Sequence, residues 1–145
     1  MSRPEHSTAD GWVGRSRILK SLLLAAPILL MLGAAELWTQ EGRWGLICQQ
    51  MQRSGDWLHP SLLGEPYYGK PLLSYWLMLI AAIPLGELSE WSLRLPSALA
   101  GVVTLLATVR IGTTLLGRTT GWLAGAMLAT TYMFVFWARV ASADM

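Results

Sequence analysis

LPSALAGVVTLLATVRIGTTLL, Leu95 to Leu116, decides the fold class. A bilayer's hydrocarbon core is crossed by roughly 20 largely apolar residues in a helix, so this run predicts a transmembrane span. Its one charge, Arg110, lies about two turns from the end, near enough to reach the headgroups. After the turn Gly117-Arg118-Thr119-Thr120, the run GWLAGAMLATTYMFVFW, Gly121 to Trp137, predicts another span ending near Arg139. Upstream, SLLLAAPILLMLGAA, Ser21 to Ala35, follows Arg15, Arg17 and Lys20 and reaches spanning length by extending past Glu36 towards Trp38. Pro27 within it is tolerable in a membrane helix.

Composition agrees. The 145 residues are 53% hydrophobic and 14% charged, against roughly 25% charged in average chains. Trp38, Trp91, Trp122 and Trp137 fall near the ends of apolar blocks, as in interfacial aromatic belts. A net charge of +2 is too small to argue for nucleic acid, and the single Cys48 excludes an internal disulfide framework. The expected fold is an all-α integral membrane protein with about three transmembrane helices.

The positive-inside rule orients these spans. Residues 1–17 form a cytoplasmic tail, its first 14 residues disordered, and 18–37 the first span. Residues 38–92 form an outer loop, 93–116 the second span and 117–120 a cytoplasmic turn. The third span is 121–139, with 140–145 at the outer end. The basic start, apolar core and Gly33-Ala34-Ala35 also fit a cleaved signal peptide.

The outer loop holds two predicted interfacial helices. Near 41–54, Trp44, Ile47, Cys48 and Met51 recur at helical spacing among polar residues, with Gly55 as the stop, so this helix is expected on the membrane surface. Residues 56–68, with Pro60, Gly64 and Pro66, read as an ordered loop. The second helix, near 71–85, is apolar all round but short, entered through Pro71 and broken at Pro84. A full span there is the alternative.

Candidate chemistry lies in this loop. Lys70 precedes the Pro71 helix mouth, where free N–H groups and the helix dipole favour an anion such as phosphate. It equally fits a lysine snorkelling beside an apolar helix. Arg43 is a further candidate for phosphate binding. Glu41, beside Gln40, is either a general base near lipid or a helix N-terminal acid. Tyr67 and Tyr68 suit stacking on a sugar or sitting at the interface. His59 lacks a second ligand at suitable spacing for a metal.

TQEGRWGLICQQMQRSGDWLHPSLLGEPYYGKPLLSYWL, Thr39 to Leu77, resembles the first outer loop of GT-C membrane glycosyltransferases. The group includes the lipid A aminoarabinose transferases and protein O-mannosyltransferases. Arg94 to Ala98 (Arg-Leu-Pro-Ser-Ala), Gly117-Arg118 and Asp144 extend the likeness over most of the chain after Trp38. The resemblance implies a partial GT-C fold in the inner (plasma) membrane. It also implies a polyprenyl-phosphate-linked sugar donor and a lipid or protein hydroxyl acceptor. By that resemblance Glu41 activates the acceptor, Lys70 stabilises the phosphate leaving group, and Asp144 lies at an outer acidic position. A divalent metal is compatible with the resemblance but has no assigned ligands.

Two positions depart from the family pattern. Gln40 replaces the first acid of a pair, and Gly69 replaces the glutamate before the lysine. An amide cannot act as a base. Together with the small number of spans, this leaves a second expectation: a non-catalytic or degenerate copy serving as an assembly partner. A transporter fragment has little support, since only Arg110 is charged within the runs Leu95 to Leu116 and Gly121 to Trp137. The stretch is expected to be the N-terminal part of a larger protein and inactive alone.

Overall fold

A computed structural model describes the backbone of residues 9–30, 32–34 and 36–142, with side chains from residue 19 onward except residue 39. Helix α1 runs Ala9–Leu29, α2 Thr39–Ser54 and α3 Leu72–Ala82. A 3-10 turn, Ile83–Leu85, follows α3. Helix α4 spans Glu90–Leu116, α5 Arg118–Thr130 and α6 Tyr132–Ala138.

The helix ends correct several expected boundaries. Helix α1 starts inside the expected disordered tail, where no proline stands between Ala9 and Pro27 to stop it, and ends at Leu29 instead of running to 37. Only Gly117 stands between α4 and α5, replacing the four-residue turn. The expected third span is two helices bent by 69° at Thr131. Thr130 and Thr131 both turn their hydroxyls back onto the preceding turn, at 3.0 Å from Ala126 O and 2.8 Å from Met127 O. Such back-bonding bends helices.

By length and composition, α4 is apolar enough to cross a membrane, with a mean hydropathy of 1.8, and the bent α5–α6 pair passes together. Leu19–Leu29 and Leu72–Leu85 are shorter apolar helices.

Close backbone approach welds α4 to its neighbours. A Cβ on Gly112 would stand 2.9 Å from Gly121 Cα, and a Cβ on Gly125 would strike Val109. Gly101 lets α6 reach α4, since a Cβ there would lie 2.7 Å from Ala138 Cβ. These contacts surround a core of Ile28, Leu32, Ala98, Leu105, Ala129 and Ala138.

A second core lies beneath the loop. Trp44, Ile47, Cys48 and Met51 are buried, as the helical spacing predicts. They pack on Tyr75, Met78 and Leu79 of α3 and on Leu93 of α4. The stripe of α2 is therefore covered by protein, not laid against lipid. Between α2 and α3 the expected loop contains a small antiparallel hairpin, with Ser61 opposite Pro66 and Leu62 opposite Glu65. Leu63 and Gly64 both have positive φ, 55° and 91°, the sign pattern of a type I′ hairpin.

Candidate functional site: a buried carboxylate–guanidinium knot

Glu41 is the third residue of α2. Its carboxylate Oε2 accepts the N–H of Trp38 at 2.9 Å, the glutamate half of a capping box. Tryptophan has no acceptor with which to supply the other half. The glutamate then does more than cap. Arg94, at the start of α4, donates from Nε to Oε1 at 2.9 Å and from Nη2 to Oε2 at 2.8 Å. The N–H of Ala141, just beyond α6, donates to Oε1 at 2.7 Å. Each carboxylate oxygen thus takes two hydrogen bonds.

The guanidinium is equally committed. Its Nη1 donates to Leu32 O at 2.8 Å and Nη2 to Glu36 O at 3.0 Å, capturing carbonyls of the segment after α1. The ion pair is almost wholly buried, with side-chain exposures of 6% for Arg94 and 2% for Glu41. Four parts of the chain meet here: the end of α1, the start of α2, the head of α4 and the exit of α6.

Burial works to raise the Glu41 pKa. The hydrogen bonds from Arg94, Trp38 and Ala141 and the Arg94 charge outweigh it, holding the carboxyl below its ordinary value. The group is a stable anion and correspondingly a weak base.

A cavity of about 330 Å³ opens beside this knot, with Glu36, Trp38, Arg94, Tyr132, Phe136 and Arg139 among its walls. The Trp38 and Phe136 rings meet edge-on at 6.0 Å. Arg139 reaches Pro27 O at 3.2 Å. An apolar, aromatic wall with guanidinium groups at one side suits an amphiphile.

The other sequence candidates lie apart from this cavity's wall. Lys70 is half-buried just before the α3 entrance, where Pro71 provides no side-chain cap. Tyr67 packs into the α2–α3 core, its ring 6.2 Å from Trp44, whereas Tyr68 is exposed. Gln40 and Arg43 lie on the exposed face of α2. Asp144 is outside the described residues. No three His, Cys, Asp or Glu side chains converge among the described residues. Glu41, the buried carboxylate, has both its oxygens taken by hydrogen bonds.

Arg94 is the residue that sequence reasoning left without a role. Its signal was present: an arginine at the head of an apolar helix needs a counter-charge or a route to water. Nothing local identified a partner 53 residues away.

Residues 69–145 match the family model described as dolichyl-phosphate-mannose-protein mannosyltransferase. The chain belongs to this family. Within it, the chain is similar to an undecaprenyl phosphate-alpha-4-amino-4-deoxy-L-arabinose arabinosyl transferase of Pseudomonas savastanoi pv. phaseolicola. The two are 38% identical over 97 residues, 63% of this chain and 18% of that protein. A second such transferase, from Pseudomonas fluorescens, is 40% identical over 105 residues, 70% of this chain and 17% of that protein. The chain therefore spans less than a fifth of these two curated relatives. The crystal structure of ArnT from Cupriavidus metallidurans bound to undecaprenyl phosphate superimposes with a TM-score of 0.73. That match has 24% identity and covers 93% of this chain and 24% of that one. The fold of this family member is thus a partial GT-C membrane fold, mostly helical.

Proposed function

We propose that this chain forms part of a membrane glycosyltransferase. The enzyme moves a sugar from a polyprenyl-phosphate donor to a hydroxyl of a lipid or protein acceptor at the outer face of a multi-pass inner (plasma) membrane protein. The observation that carries this reading is the family match beginning at Gly69 and running through Lys70-Pro71 and the bundle. Lys70, at the mouth of α3, is the proposed partner of the leaving phosphate, where the lysine charge and the free helix N–H groups act together. Arg43, Tyr67, Tyr68 and Asp144 remain candidates for holding substrate.

In this proposal Glu41 positions the site and does not abstract the proton. General bases work best with a pKa near the operating pH. A carboxylate accepting four hydrogen bonds, with its pKa held low, would have to release Arg94 first. With Gln40 an amide, this favours the second reading, a catalytically silent copy that assembles with other chains.

Transfer assays separate the two readings. The full-length protein in membranes is given a labelled polyprenyl-phosphate sugar. Transfer that falls at least about a hundredfold in Lys70→Ala, at unchanged membrane level, supports the enzyme. No transfer by the wild type, restored by Gln40→Asp, supports the silent copy. Wild-type transfer unaffected by Lys70→Ala removes Lys70 from the site.

A further inference from the structure

The opposite end of α4 carries a feature that the proposed chemistry does not use. Where α4 turns into α5 at Gly117, Arg110 and Arg118 face a cavity of about 500 Å³ that also touches Ser21 of α1 and Trp122 of α5. An adjoining cavity of about 360 Å³ shares Arg118 and Trp122 and adds Lys20. The Lys20 ammonium lies 5.9 Å from the Trp122 ring centroid. The close approach of Gly112 and Gly121 brings the two arginine-bearing helix ends side by side.

Three cations meet there without a counter-charge among the described residues. None of Lys20, Arg110 and Arg118 has a carboxylate partner among the described residues. The acidic residues with described side chains all lie between Glu36 and Glu90, and Glu90 stands roughly 30 Å from Arg110 along α4. The N-terminus of α5 adds to the field, since Gly117 supplies no side-chain cap and the first N–H groups have no hydrogen-bond partner among the described residues. Ser21 contributes a hydroxyl with no hydrogen-bond partner among the described residues. Cations, a hydroxyl and open N–H groups around one hollow match a phosphodiester. The tryptophan and the exposed apolar flanks of α1, α4 and α5 match the acyl region beneath it.

We propose that this end of the bundle binds the phosphate headgroup of an anionic glycerophospholipid, in the leaflet at the α4–α5 turn. The lipid fills the wedge between α1 and the α4–α5 hairpin and neutralises Arg110 and Arg118. It is a lipid site separate from the Lys70 region, and it stands whether or not the chain transfers sugars.

The test uses the full-length protein in detergent micelles and a short-chain fluorescent phosphatidylglycerol, read by polarisation. Binding should be saturable and unaffected by equal concentrations of unlabelled phosphatidylcholine. Arg110→Gln with Arg118→Gln should weaken it about thirtyfold, at about a factor of five per removed charge. Arg53→Gln, at the far end of the molecule, should leave it unchanged. Should the double variant fail to fold, Lys20→Gln alone, at an exposed position, should still weaken binding several-fold. Displacement by millimolar inorganic phosphate would assign the site to a soluble phosphate compound and overturn the lipid. Equal binding of phosphatidylcholine, or no effect of the charge-removing variants, would overturn the site itself.

Discussion

Removing both partners of the Glu41–Arg94 pair should cost less than the sum of removing each alone. Arg94→Met deletes two hydrogen bonds to Glu41 and the donors to Leu32 O and Glu36 O, leaving a buried anion held only by two backbone N–H groups. Breaking a buried pair in this way costs about 3–5 kcal/mol. Glu41→Gln should fall in the same range. One oxygen becomes an amine facing donors, so about two of the four hydrogen bonds are lost while the guanidinium stays buried. The double variant Glu41→Gln/Arg94→Met should recover part of the loss, giving a coupling of about 2 kcal/mol or more. Unfolding of the full-length protein in mixed micelles, followed by tryptophan fluorescence, measures each corner of the cycle. The acid limb is a second check. Because the folded pKa of Glu41 lies below the ordinary 4.5, its contribution is complete above that value and is lost as pH falls through the folded value. Wild type should therefore lose stability below about pH 4.5 more steeply than Glu41→Gln. Additive single variants, or parallel acid limbs, would show that the knot does not hold these four segments together.

Burial raises the Cys48 thiol to about 12, leaving about one thiolate in ten thousand at pH 8. Iodoacetamide at pH 8 should leave Cys48 unmodified in the folded protein and label it after denaturation; rapid labelling of the folded form would mean that α2 lifts off α3. Gly125→Leu should lower stability by about 1–3 kcal/mol, because the new side chain meets Val109 where α4 and α5 touch. An unchanged melting curve would mean that the two helices are not held at that spacing.

Much of the local structure was legible in the residues. The stripe Trp44, Ile47, Cys48 and Met51 identified both α2 and its buried face, and Gly55 identified its stop, taking φ 72° with its N–H on Met51 O. Pro71 marked the entrance of α3, and Ser89, unremarked in the sequence, caps α4 with Ser92. The family likeness singled out Glu41 and Lys70 as residues of interest, but could not say what surrounds them. The carboxylate was visible; its four donors were not.

What the sequence determined by itself is what depends on near neighbours. Apolar run length, helical spacing, caps and turn residues act within about a turn or two, so they mark helices and a membrane-type chain. The tertiary structure alone decided that α2 turns its stripe to α3, that the last apolar run breaks by 69°, and that Arg94 finds Glu41. Those outcomes depend on which surfaces meet. A buried charge will take whichever partner the packing brings within hydrogen-bond reach, and no local pattern names it. Here the packing brought a glutamate 53 residues upstream and a backbone N–H 100 residues beyond that glutamate to the same buried site.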